Sequence, residues 1–249
     1  MTDIQPMPPA PAAEAPPMNP FARMTGALFA PVSTFRDIAR KPDFLIVLIV
    51  LMLLSAVSAV ALSTRLDVAG SVRASMEERH MNPEQIDRAV KVAGIFSKMM
   101  LYLAAFLTPL VLAIVAGVML LAFRIFRGEG TFKQAYAVTL YAWMPMLLLS
   151  ILTTAIALTR HQIDPRSLAT IVRSNPAFLV DMNKQPALFA LLSSIDVFSF
   201  WTLTLMTLGY SAMARVSRLK ASAIVISVWL VRVLFSVGLA ALGAMQGHA

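Results

Sequence analysis

Cysteine is absent from all 249 residues, and that absence removes disulfides, thiolate metal sites and thiol nucleophiles together. Histidine is scarce. His80, His161 and His248 stand far apart and none belongs to a His-Glu-x-x-His or comparable spacing, so the chain offers no donor set for a metal or cofactor and none is expected. No Gly-x-Ser-x-Gly elbow, phosphate loop or dinucleotide fingerprint occurs, and no carboxylate pair lies in an apolar stretch. Neither nucleophilic nor general acid-base chemistry has a carrier, and no enzyme activity is expected.

Charge is missing from long runs. Of 21 Lys and Arg and 13 Asp and Glu residues, all but Asp196 and Arg232 lie outside five apolar blocks, at 44–62, 99–123, 135–158, 195–214 and 221–242. A continuous apolar run of about 18 residues or more crosses the roughly 30 Å hydrocarbon core as a helix, whereas barrel strands alternate polar and apolar positions. The fold class is therefore all-α, a polytopic membrane protein with a five-helix transmembrane bundle. The longest interspan loop, 63–98, leaves little room for a separate soluble domain, so the membrane domain is one unit over 44–244 followed by a tail at 245–249.

The net charge of +8 accords with a membrane protein whose span ends carry Lys and Arg against anionic lipid headgroups. No compact basic and aromatic face of the kind that grips nucleic acid is visible. Lys and Arg are densest in short connectors: the segment before the first span, the Arg124 to Gln134 loop and the Arg215 to Lys220 loop. The rule that such residues stay inside places the N-terminus in the cytoplasm and the C-terminus outside, in the cell inner membrane.

Residues 1–20 hold seven prolines and no Lys or Arg, a composition that cannot bury a core and reads as a disordered tail. In 21–43, Leu28, Val32, Phe35 and Ile38 recur at helical spacing with charges on the other faces. This segment is expected to be an amphipathic helix lying in the membrane interface, the alternative being a helix packed on the protein's own loops. In the first loop, Asn82-Pro83-Glu84-Gln85 predicts a helix start that runs into the second span. Pro165, Pro176 and Pro186 should divide the third loop into short helical pieces that form a small cap.

Three motifs occur in order along 25–243. The first is Pro31-x-x-x-Phe35-x-x-Ile38 with Pro42. The second is Gly128-Glu-Gly130-Thr-Phe132-Lys-Gln-Ala-Tyr-Ala, followed by Tyr141 and Pro145. The third is Asp196-x-Phe198-x-x-Trp201-x-x-x-Leu205-x-x-x-Gly209, with Trp229 in the last span. Together they resemble the Yip (Ypt-interacting protein) domain family of five-span membrane proteins, bacterial type. The resemblance implies an N-in, C-out topology. Eukaryotic relatives act in early secretory trafficking and bind small GTPases of the Ypt/Rab class through cytoplasmic parts; the short proline-rich tail here has no segment that aligns with such a region.

Gly128 and Gly130 suit a tight turn between antiparallel spans, since glycine accepts positive φ. Pro109 and Pro145 should each kink a span and free the carbonyls of Ala105 and Tyr141, making either a compensated kink or a hinge with a polar pocket. Asp196, at the start of the fourth span, suits a helix cap. Arg232 is the harder case: an arginine at mid-bilayer costs roughly 2.5 to 3.5 kcal/mol on insertion scales. A direct pair with Asp196 is disfavoured because the two side chains lean apart along their helices. The expectation is instead a contact at the level of Trp201 and Thr202, by cation–π interaction or by bonding to the carbonyl freed by Pro145.

The functional expectation is a non-enzymatic membrane-organising or scaffolding protein, with membrane lipids as partners and an unidentified membrane or cytoplasmic protein as a further one. The alternative is a small channel or transporter component, kept open by Ser199, Thr202, Thr207 and Ser211 on the fourth span.

Overall fold

A computed structural model of the chain describes residues 17–247. The proline-rich tail expected at 1–20 falls mostly outside them, as do the last two residues of the expected tail at 245–249. Among the described residues there are ten α-helices, two short 3-10 turns and no strand.

Five helical segments are long and apolar enough to cross a membrane. The first is α3 (Leu45–Ser63), preceded by α1 (Pro20–Phe29) and α2 (Pro31–Arg40); after α4 (Val68–Glu77) comes α5 (Pro83–Ile125). The third span is divided into α6 (Phe132–Ala142) and α7 (Met144–Leu158). After α8 (Pro186–Ser194), α9 (Val197–Ala214) and α10 (Arg218–Gly247) complete the bundle. The third span is the axis: 44% of its most apolar window is buried, against 17% for α3 and for α10, which present most of their surface outward. That outward surface is apolar because its solvent is lipid, as Phe106, Ile114 and Leu121 on α5 illustrate.

Asn82 accepts from the Glu84 amide and Pro83 opens α5, so the motif at 82–85 acts as its chemistry predicts. At 1.5 Å per residue, the 43 residues of α5 extend about 65 Å, about twice the hydrocarbon thickness. The surplus is its N-terminal part, which pairs with α4 and carries the Arg73 to Asp87 bridge at 2.8 Å. The loop end of the bundle is structured throughout. Pro165, Pro176 and Pro186 each begin a helical piece. A backbone bridge joins the two loops, Asp67 N donating to Ile163 O and Ile163 N to Arg65 O, both at 2.9 Å.

The segment at 21–43 differs from expectation. It is two helices, α1 and α2, because Pro31 opens a second one after Ala30 leaves helical geometry. The apolar face of α2 is turned into the bundle: Phe35 and Ile38 are fully buried in contact with the central core, and α2 packs on α9 and α6. Protein, not lipid, covers that stripe. Only Phe21 and Phe29 of α1 remain exposed as large apolar groups.

Candidate functional site at the turn end of the bundle

The bundle end that carries α1, α2 and the two tight turns gathers most of the unusual side chains. Asn19 caps α1 by accepting from Ala22 N at 2.7 Å, which fixes the helix so that Arg23 points inward. Arg23 is 1% exposed. Its Nε and Nη2 both lie 2.8 Å from Oδ2 of Asp37, itself 5% exposed. The same oxygen accepts from Met18 N at 3.2 Å, and Oδ1 takes Arg40 Nη2 at 3.2 Å. Asp37 is thus the hub that ties α1 to α2. Arg23 Nη1 and the Tyr141 hydroxyl, beside the α6–α7 break, are both buried with no hydrogen-bond partner. A buried pair of this kind contributes little net stability, yet losing one partner is costly because a charge is left stranded.

A second polar contact fastens α6 to α9. Thr139 Oγ1 and Tyr210 OH are 2.8 Å apart, the Tyr210 hydroxyl reaches Ala135 O at 3.3 Å, and its ring stacks on Phe123 at 5.0 Å. The α6 start is anchored by a capping box between Thr131 and Gln134, and Gln134 Nε2 donates to Ala39 O at 2.7 Å, tying α6 to the end of α2. Between α2 and α9 a cleft of about 600 Å³ remains, with Arg36, Arg40, Arg215 and Arg218 in its wall.

The sequence-predicted positions fall in separate places. Asp196, 3% exposed, caps α9 by accepting from Phe198 N at 2.8 Å and Ser199 N at 3.2 Å. It also accepts from the Ser174 hydroxyl and, at 3.4 Å, from Asn175 Nδ2, so it pins the loop cap as well. Gly130 takes positive φ (126°), but Gly128 does not; Arg127 (φ 59°) turns the chain beside it. Gly128 is needed for proximity instead, since a Cβ there would lie 3.0 Å from Phe123 O and 3.1 Å from Ala214 Cβ. Pro109 sits inside α5 and its own carbonyl accepts from Tyr136 OH at 3.2 Å. Pro145 does more than kink the third span: it ends α6 at Ala142 and opens α7, with Trp143 between them.

The expected contact between Arg232 and Trp201 is not formed. Arg232 is exposed on the outer face of α10, whereas Trp201 packs on the core and Thr202 is buried at 4% with no partner for its hydroxyl. The face of α9 that meets α10 bears Phe200, whose ring lies 6.0 Å from that of Trp229. The cause is rotational phase: one residue along α9 is about 100° around it, so Phe200 and Trp201 face different neighbours. A cation–π contact does occur, but in the loop cap, Arg173 over Phe178 at 5.7 Å.

Sequence reasoning did not mark Arg23 and Asp37, and it named Tyr141 only as a motif residue and for its backbone carbonyl, not for its hydroxyl. Their signal was present: Arg23 lies one turn before Ala27, and Asp37 lies on the stripe of Thr34 and Ile38, so opposite charges interrupt two apolar faces on either side of Pro31. Among the described residues no three His, Asp or Glu side chains converge as metal donors.

Five spans around a central broken helix, closed at one end by two packed amphipathic helices and at the other by a loop cap, define a multi-pass membrane protein. The family model described as the Yip1 domain matches residues 25–240, and the chain belongs to that family. No curated protein and no solved structure matches this chain.

Proposed function

We propose that this chain is a non-enzymatic organiser of an inner membrane, with its N-terminus and both tight turns facing the cytoplasm and its C-terminus outside. The observation that carries the reading is the filled centre: residues 135–142 of the axial helix are all buried, with Phe123, Leu205 and Tyr210 closing around them. A bundle filled over this part of its axis leaves its outside as the surface for partners. The outside at the turn end is basic, with Arg36 of α2, Arg124 in the last turn of α5, and Arg218 and Lys220 in the first turn of α10 all exposed, which supports the cytoplasmic assignment. Its partners are anionic headgroups and a membrane or cytoplasmic protein that docks on this end.

Single cysteines in the naturally cysteine-free chain test this with a membrane-impermeant thiol reagent on sealed vesicles. In the outward-facing orientation Met245→Cys is labelled at once and Phe21→Cys only after lysis, while Val138→Cys and Thr202→Cys stay unlabelled. Labelling of both core positions from one side would establish a water path and replace the organiser with the channel or transporter component. Photo-crosslinking from Arg36 and Arg218 in native membranes should give discrete protein adducts absent for positions on the lipid face of α5.

A further inference from the structure

The cleft between α2 and α9 is walled by four arginines and by no carboxylate; Val32 and Leu208 supply apolar surface. Two of these cations are engaged elsewhere: Arg40 with Asp37, and Arg215 with Glu129 at 3.3 Å. Arg36 and Arg218 have no ion pair among the described residues. Converging guanidinium groups are suited to a phosphate, which they bind through paired N–H donors.

Leu208 also lines a second concavity, of about 330 Å³, between α9 and α10. This one is mostly apolar, with the hydroxyls of Thr204, Thr207 and Ser222 as its polar groups, and it runs from Leu208 past Leu203 and Ile226 to Phe200 and Trp229. Ile226 and Phe200 are exposed, so the groove opens to the hydrocarbon. From Leu208 to Phe200 is about 12 Å along the helix axis, at 1.5 Å per residue. A charged cleft at the membrane surface thus continues into an apolar groove within the membrane.

We infer that cleft and groove together form a binding site for one anionic phospholipid, the phosphate held by Arg36 and Arg218 and one acyl chain lying between α9 and α10. Charge complementarity selects the headgroup, and continuity through Leu208 selects a lipid over a soluble phosphate. The inference deepens the organiser reading and rests on it only in placing this end of the bundle at a membrane surface.

The test is native mass spectrometry of the full chain released from nanodiscs of phosphatidylglycerol and phosphatidylcholine in equal amounts. Wild type should keep one phosphatidylglycerol preferentially. Each basic residue near a membrane surface contributes about 1 kcal/mol, so R36Q with R218Q should lower that preference on the order of 10- to 30-fold. L208W, which leaves every charge in place, should lower it too by filling the junction. R88Q with K91Q, at the other end of the bundle, should leave it unchanged. Helical circular dichroism checks each variant for folding, and R36K with R218K provides a charge-conserving set that should retain an intermediate preference. Loss of lipid from wild type on adding inorganic phosphate, with L208W behaving as wild type, would show a soluble-phosphate site and overturn the inference. Equal retention of both lipids by wild type would overturn it as well. Preferential lipid retention by a protein whose core cysteines are water-labelled would leave this site standing while removing the organiser reading.

Discussion

Gly209 of α9 and Phe35 of α2 interlock: a Cβ placed on Gly209 would stand 2.8 Å from Cδ1 of the Phe35 ring and 2.5 Å from Cγ1 of Val138. Both neighbours are fully buried, so neither has space to withdraw. One hydrogen atom in place of a side chain lets α2, α6 and α9 meet at a single point, as small residues do at helix contacts in membranes. The first and third family-like motifs, separate in sequence, meet here through Phe35 and Gly209, and Val138 directly follows the second.

Gly209→Ala should therefore lower stability by about 1–3 kcal/mol, the usual range for overpacking a filled core. Thermal unfolding in detergent measures it. Combining it with Val138→Ala should recover part of the loss, because the nearest clash is removed, and the pair should be non-additive. Full additivity would show that Val138 of α6 does not meet α9 there, and an unaltered melting temperature for Gly209→Ala would show that neither α2 nor α6 packs against Gly209.

The Arg23–Asp37 pair gives a second expectation. Asp37→Ala strands Arg23 in a site where it is 1% exposed and should cost about 3–5 kcal/mol, whereas replacing both residues by Met and Leu should cost much less. Limited proteolysis after Phe21 or Phe29 reads the same event locally, since α1 is held to α2 through Asp37. If the double replacement were as damaging as Asp37→Ala, the pair would be contributing something beyond mutual compensation.

The architecture was legible because the membrane imposes a coarse rule. Charge exclusion over runs of about 18 residues locates spans without any knowledge of packing, and the chemistry of Asn82-Pro83, Pro165, Pro176, Pro186 and Asp196 is local to each element's first turn. What was not legible depended on rotation and on distant partners. Trp201 and Phe200 differ by one residue, and an apolar span has no polar face to set its phase, so the neighbour of Arg232 was misassigned. The stripe of α2 was readable as amphipathic, but the same pattern serves lipid and protein alike; only the fit of Phe35 against Gly209 decides between them. The arginine cleft joins residues of α2 with the α9–α10 turn, far apart in sequence, and nothing local announces that they meet.

Asp196→Ala should act on the loop cap as well as on α9. Loss of a helix N-cap costs about 0.5–2 kcal/mol, and Ser174 and Asn175 would lose a shared acceptor. Hydrogen exchange should accelerate at Phe198 and Ser199 and also in the segment 169–178. Acceleration confined to the first turn of α9 would mean that Asp196 is a cap alone and that the loop is held by its other contacts.

Arg232→Leu should leave stability unchanged or raise it. The side chain is exposed on α10, and among the described residues it forms no salt bridge. Fourteen residues beyond Arg218, it stands about 21 Å along the helix from the turn end, within the hydrocarbon of a bilayer about 30 Å thick. A charge at such a depth is unfavourable by roughly 2.5 to 3.5 kcal/mol on insertion scales, and leucine removes that cost without stranding a partner. Melting temperature in lipid nanodiscs, where the outer face of α10 meets acyl chains, is the decisive measurement. A fall of several degrees for Arg232→Leu, absent from the neighbouring outward substitution Val231→Leu, would show that Arg232 is engaged after all and that the outer face of α10 is covered by another molecule in the membrane.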